Sequence, residues 1–337
     1  MAQLLLIYNG MFSLNKYCFE KETVKMKNVK VILWGLGAMG GGSGKMLTKK
    51  KGVDIVGAID IGDKIGKSLY DVVPGIVRGD REDVIVGTPE EVIKPGAADI
   101  VVVCTNSFTK DVYDKLVFVM EKGMNVITSA EEMAYPQAQE PELAKKLDEI
   151  AKKNGVSVMG TGINPGLIMD LLVILWTAAC EEVNHVTSRR VNSLSPFGPA
   201  VMEEQGIGIS VEEFNERKAN GTMAGHVGFA ESTMMICDAL GWKWDDFGQD
   251  MEPIVTDVDR KSPYGFAAAG QVAGVAMKGW VNIDGERKID MDHPQQIEPE
   301  QVGVHTGDYV ILDSVPPVNM VNTPEIEGGI GTMAMIM

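Results

Sequence analysis

An apolar, strand-forming run, Val31-Ile32-Leu33-Trp34, passes directly into Gly35-Leu36-Gly37-Ala38-Met39-Gly40, the spacing GxGxxG. This stretch narrows the possible folds more than any other. Gly35 permits a tight turn off the strand, a side chain at Gly37 would block close approach of a phosphate, and Gly40 lets the next helix pack against the sheet. A helix starting near Ala38 aims its free N–H groups and positive dipole end at that charge. The spacing alone is common in loops, but its context here is specific. Helix is predicted over 38–50 and strand over 53–59, and Asp60 ends that strand where a carboxylate would accept hydrogen bonds from an adenosine ribose. Lys64 and Lys67 follow, within reach of a 2′-phosphate, so NAD and NADP both remain open.

The pattern then alternates. Thr88-Pro89-Glu90-Glu91 combines an N-cap, a proline at the first helical position and a glutamate three residues after the cap. Residues 99–104 form a continuous apolar run suited to a parallel strand buried on both faces. Such strands bind ligands off their carboxyl ends, which places Thr105 and Asn106 beside a cofactor. A helix over 110–122 and a strand over 125–128 lead to Ser129-Ala130-Glu131-Glu132-Met133-Ala134-Tyr135-Pro136. The two adjacent acids either complement a helix dipole or act on a ligand at the sheet edge. A helix over 141–154 and a strand over 156–159 complete an α/β order implying right-handed crossovers and a doubly wound parallel sheet of Rossmann type.

Gly160-Thr161-Gly162-Ile163-Asn164-Pro165-Gly166 is a second glycine-rich turn, read as a ligand contact or a hinge, before an apolar helix expected over 167–180. Alternation stops there. A strand over 185–192 carries Arg190 and Asn192 on one face, Ser210 caps a helix, residues 228–240 form another, and Asp284-Gly285 reads as a hairpin turn. His226 sits between glycines at a helix start. The expected division is an extension over 1–25, dispensable to the fold, a dinucleotide-binding domain over 26–165, and a C-terminal α+β substrate and oligomerisation domain over 166–337 whose end packs back on the first domain.

Composition excludes several classes of function. The net charge of −16 opposes nucleic-acid binding, which needs clustered Lys and Arg, and favours cationic substrates. Mean hydropathy of +0.01 fits a globular chain. The richest apolar run is too short for a membrane span and contains Asp170. Four scattered cysteines without a CxxC spacing point to a reducing cytoplasm. The four histidines match no metal-ligand spacing, so no metal is expected.

Taken together, Trp34 to Gly40, Glu131 to Pro136, Gly160 to Gly166, Ser195-Pro196-Phe197-Gly198, Gly225-His226-Val227-Gly228 and Gly328-Gly329-Ile330-Gly331-Thr332 resemble the 2,4-diaminopentanoate dehydrogenases and the related native amine dehydrogenases, within the dihydrodipicolinate-reductase-like group. The stretch before Met26 lies outside that pattern, and the family's further helix after the terminal glycine motif is missing, which predicts lower stability. The His-His and Lys-rich motif of dihydrodipicolinate reductase is absent, as is the Glu-Lys-Pro of sugar oxidoreductases. The resemblance implies NAD(P)-dependent oxidative deamination of 2,4-diaminopentanoate at C4, in ornithine fermentation, by a homodimer or larger homo-oligomer. It also implies a catalytic glutamate at Glu131 or Glu132, with register deciding which. Arg190 and Asn192 become candidates for the substrate carboxylate, His226 for the pocket wall and Asn164 for the nicotinamide carboxamide. Alternatives are a dehydrogenase of another small amine and a non-catalytic NAD(P)-binding sensor.

Overall fold

The computed structural model describes residues 27–223 and 225–337; the extension expected over 1–25 lies outside them. Two six-stranded sheets organise the chain. The first half runs β1 (Val29–Trp34), α1 (Ala38–Leu47), β2 (Val53–Ile59), α2 (Leu69–Val72), β3 (Val86–Gly87), α3 (Pro89–Val92), β4 (Ile100–Val103), α4 (Thr109–Glu121), β5 (Asn125–Thr128), a 3₁₀ turn (Glu131–Ala134), α5 (Pro141–Asn154) and β6 (Val158–Gly160). Its strands pair in parallel in the order β3-β2-β1-β4-β5-β6. Ile32, Leu33, Val101 and Val103 are almost fully buried, as a sheet covered on both faces requires. The local signals act as expected. Thr88 and Glu91 form a capping box on α3. Helix α5 buries Ala144, Leu147 and Ala151 along one stripe and ends at Gly155, whose φ of 66° is the left-handed stop.

The expected helix over 167–180 is shorter. It spans only Leu171–Thr177 (α6), and it starts late because the Asp170 carboxylate accepts hydrogen bonds from the Gly166 and Leu171 amides and the Ser232 hydroxyl, making Asp170 a cap. Ile168 and Met169 precede it in turns and plug the core.

The second half contains β7 (Glu182–Ser193), α7 (Pro199–Glu204), α8 (Val211–Ala219), α9 (Phe229–Leu240), β8 (Asp246–Val255), the short pair β9 (Arg260–Lys261) and β10 (Phe266–Ala267), β11 (Val272–Ile283), β12 (Glu286–Gln296), β13 (Gly307–Val315), β14 (Val318–Asn322) and α10 (Gly328–Ile336). Its large sheet is mixed, in the order β14-β13-β7-β12-β11-β8. Asp284 and Gly285, with φ of 53° and 76°, turn β11 into β12, the geometry favoured by Asp-Gly. The inner face divides lengthwise. Val186, Ile289, Met291, Val310 and Leu312 form a core with Val173, Phe214 and Phe229 of the covering helices, whereas Arg190, Asn192, His293, Gln295 and Asp308 make the other end polar.

Helix α10 returns across α1. Glycine at four positions in α1 is costly to a helix, about 1 kcal/mol each relative to alanine, yet contact explains it: a methyl group on Gly42 would overlap the Met333 sulfur.

Candidate active site

The glycine turn is built by close approach. A side chain on Gly35 would strike the Cys104 carbonyl oxygen, and one on Gly40 the carbonyl of Gly35 itself. Gly37 differs, since a Cβ there would meet only open space. Gly37 is also the extended N-cap of α1 and provides no side-chain cap. The N–H groups that open α1 at Ala38 and Met39 therefore face an unfilled approach, the arrangement that suits a dinucleotide pyrophosphate. Asp60 ends β2, accepting from the Leu36 amide at 2.9 Å, the Ile61 amide at 2.7 Å and Lys64 Nζ at 2.7 Å. Burial raises its pKa, but Lys64 and the two amides outweigh that and hold the carboxyl below its ordinary range. Lys64 also donates to the Leu36 carbonyl, so it ties Asp60 to the glycine turn.

From this turn a cleft of about 380 Å³ extends between the carboxyl edge of the parallel sheet and the polar end of the second sheet. Met39, Thr105, Asn106, Glu131 and Asn164 line it from one side, and Arg190, Asn192, His226, His293 and Gln295 from the other. The two adjacent acids separate. Glu131 is on the wall of the cleft, its pKa raised by burial and only partly offset by the Ser107 hydroxyl. Glu132 is buried away from it and accepts the Thr109 amide at 2.7 Å. Because Phe108 provides no side-chain cap for α4, Glu132 caps that helix from 23 residues away.

Arg190 lines the cleft, but its guanidinium is engaged. Nη1 pairs with Asp308 at 2.5 Å and Nη2 donates to the Ile326 carbonyl at 2.5 Å. Asn106 accepts from Lys115 at 2.6 Å. The Asn164 amide lies 3.0 Å from His226 Nε2, where only the amide N–H can donate to an unprotonated ring nitrogen. The His293 ring stands 4.8 Å from that of His226 and donates from Nδ1 to the Arg190 carbonyl, which can only accept. Desolvation, reinforced by Arg190, lowers the His226 pKa to about 4 and keeps His293 well below its ordinary value. Both rings are therefore neutral at pH 7. His293 and Gln295 carry no motif in the sequence, and Phe197 and Gly328, which belong to motifs of the family resemblance, carry no expected role in the site, yet all four line the cleft. Alternation along β12 marks His293 and Gln295 as inward-facing, but only the packed structure makes that face a cavity wall.

A glycine turn on a parallel sheet, a carboxylate at the sheet edge and a facing polar β-sheet together define a dinucleotide-linked dehydrogenase. No helix among the described residues is long and apolar enough to cross a membrane, and none of their His, Cys, Asp and Glu side chains group to hold a metal. The model for the 2,4-diaminopentanoate dehydrogenase C-terminal domain matches residues 167–337. A curated 2,4-diaminopentanoate dehydrogenase from Acetoanaerobium sticklandii is 68% identical over 311 residues, 92% of this chain and 88% of that protein. The chain belongs to the 2,4-diaminopentanoate dehydrogenase family. Among solved structures, an amine dehydrogenase from Mycobacterium smegmatis shares the fold with a TM-score of 0.77 and 24% identity, over 92% of this chain and 90% of that one. GenD2 of gentamicin A biosynthesis, solved with NAD, aligns with a TM-score of 0.52 and 13% identity over 94% of this chain and 86% of its own.

Proposed function

We propose that this enzyme catalyses the NAD(P)-dependent oxidative deamination of 2,4-diaminopentanoate at C4, yielding 2-amino-4-oxopentanoate and ammonia. The observation that carries this reading is the placement of Glu131 on the cleft wall at the end of β5, opposite the polar end of the second sheet. The name of the 68% identical relative supports the choice of substrate. Gly35, Gly37, Ala38, Met39, Gly40, Asp60, Thr105, Asn106 and Asn164 would hold the dinucleotide, which when bound supplies an acceptor for the hydride at C4. Glu131 takes a proton from the 4-ammonium group, since the nitrogen must be neutral before the C–H bond breaks. Once that proton has passed to solvent, the same carboxylate draws a proton from water as its oxygen adds to the iminium carbon, and returns it to the nitrogen, which leaves as ammonia as the C4 carbonyl forms. General-base work of this kind is typically worth 10² to 10⁴-fold. The neutral rings of His226 and His293 place no positive charge against a cationic substrate. In this reading the enzyme works in the cytoplasm as a homo-oligomer, in keeping with free thiols at Cys104, Cys180 and Cys237.

Incubation with 2,4-diaminopentanoate and either NAD or NADP is expected to produce reduced cofactor and ammonia in equal amounts. Cofactor binding without either product would support the sensor reading instead.

A further inference from the structure

We propose that Asn192 and Gln295, together with the first turn of α10, bind the 2-ammonium carboxylate headgroup of an amino acid and so present C4 to Glu131. This inference rests on the reaction above and adds the part of the site that selects an amino acid over a plain amine.

Asn192 on β7 and Gln295 on β12 are register partners in the second sheet. Both line the cleft, and they are only 6% and 8% exposed. Asn192 Oδ1 and Gln295 Nε2 nevertheless have no hydrogen-bond partner among the described residues. A buried amide left unpaired is costly, and two adjacent ones on a cavity wall mark a place that a ligand completes. One group is an acceptor and its neighbour a donor, matching an ammonium and a carboxylate.

Gly328 and Gly329 open α10 into the same cleft. The Gly331 amide bonds to the Glu327 carbonyl, and Glu327 adds no side-chain cap. The earlier N–H groups therefore have no intrahelical acceptor, and the positive end of the helix dipole faces the cavity. Arg190 lies beside Gly328, but its pairing with Asp308 leaves little net charge there. Fixed dipoles from Gln295 and α10, more than the Arg190 fork, would then hold the carboxylate, while Asn192 takes the 2-ammonium group.

The test titrates 2-aminopentanoate, which has the headgroup but no 4-amine, and pentanoate into the full chain saturated with NAD. Both are expected to bind the parent protein saturably, 2-aminopentanoate more tightly. Gln295→Leu is expected to weaken both by about 10- to 100-fold, as loss of a buried hydrogen bond to a charged group does, and Asn192→Leu to abolish the preference for 2-aminopentanoate. NAD affinity is expected to be unchanged, which also reports that the variants fold. Should Gln295→Leu not fold, Gln295→Glu keeps the shape, repels a carboxylate and is expected to show the same loss.

Equal binding by parent and variants, or no saturable binding by the parent, would overturn the inference. So would an equal loss of NAD affinity, which would assign these groups to the cofactor. Expected binding without oxidation of 2,4-diaminopentanoate would instead overturn the reaction and leave the headgroup site. Oxidation with unaltered binding in the variants would do the reverse.

Discussion

Glu131→Gln is expected to lower kcat by about 10² to 10⁴-fold, the usual worth of a general base, with cofactor affinity unchanged. The amide keeps the size and hydrogen-bonding reach of the carboxylate but cannot accept the proton from the substrate ammonium. Glu132→Gln, one residue along, provides the contrast. Its carboxylate caps α4 through the Thr109 amide; a glutamine carbonyl can still accept that N–H, so only the negative charge at the helix start is lost, and the effect is expected in thermal stability, at about 0.3 to 1 kcal/mol, rather than in turnover. The pH profile gives a second reading of the same group. Burial raises the Glu131 pKa, and only the ionised form is a base, so kcat/KM is expected to rise with pH through a value above the ordinary carboxylate range. Glu131→Gln should remove that limb. Equal, mild effects of the two substitutions would show that neither carboxylate is the base.

Asp308→Ala is expected to destabilise the protein by about 3 to 5 kcal/mol, since it leaves a buried arginine without its counter-charge. Asp308 is fully buried and Arg190 nearly so. The second Asp308 oxygen accepts the Ile326 amide at 3.0 Å, and Arg190 donates to the Ile326 carbonyl. The pair therefore anchors the strand-to-helix segment that delivers α10 to the cleft. A lower urea midpoint with an unchanged slope would show the loss as stability, and the weakened anchor should also raise the substrate KM. The double substitution Arg190→Met with Asp308→Leu is expected to recover much of the stability, because well-packed apolar residues replace a buried ion pair at little cost. It should not recover the KM. A loss below about 1 kcal/mol in Asp308→Ala would place the pair among those worth little.

Features set by a few neighbouring residues were legible in the sequence. The turn at Gly35 to Gly40, the Thr88 capping box and the Asp284-Gly285 hairpin each need only local backbone geometry, and the structure has all three. Alternation likewise put Arg190 and Asn192 on one face of a strand. What could not be read depends on contacts distant in sequence. The choice between Glu131 and Glu132 turns on α4, whose uncapped start draws one of the two acids away from the cleft. The commitment of Arg190 depends on Asp308, 118 residues further along. Helix expected over 167–170 gave way because Asp170 bonds to Ser232, 62 residues away. Gln295 carries no signal of its own, since a glutamine in an alternating strand looks like any solvent-facing position until the opposite wall is in place. Gly42 in α1 makes sense only beside Met333 of α10.

In the proposed reaction oxidation occurs at C4 and leaves the amino-acid headgroup intact. This is tested most directly by turnover of 2,4-diaminopentanoate carrying deuterium at C2 and, separately, at C4. The product from the C4-labelled substrate is expected to have lost its deuterium, that from the C2-labelled substrate to keep it, and only C4 labelling to slow the reaction. Loss of deuterium from C2 with retention at C4 would contradict oxidation at C4.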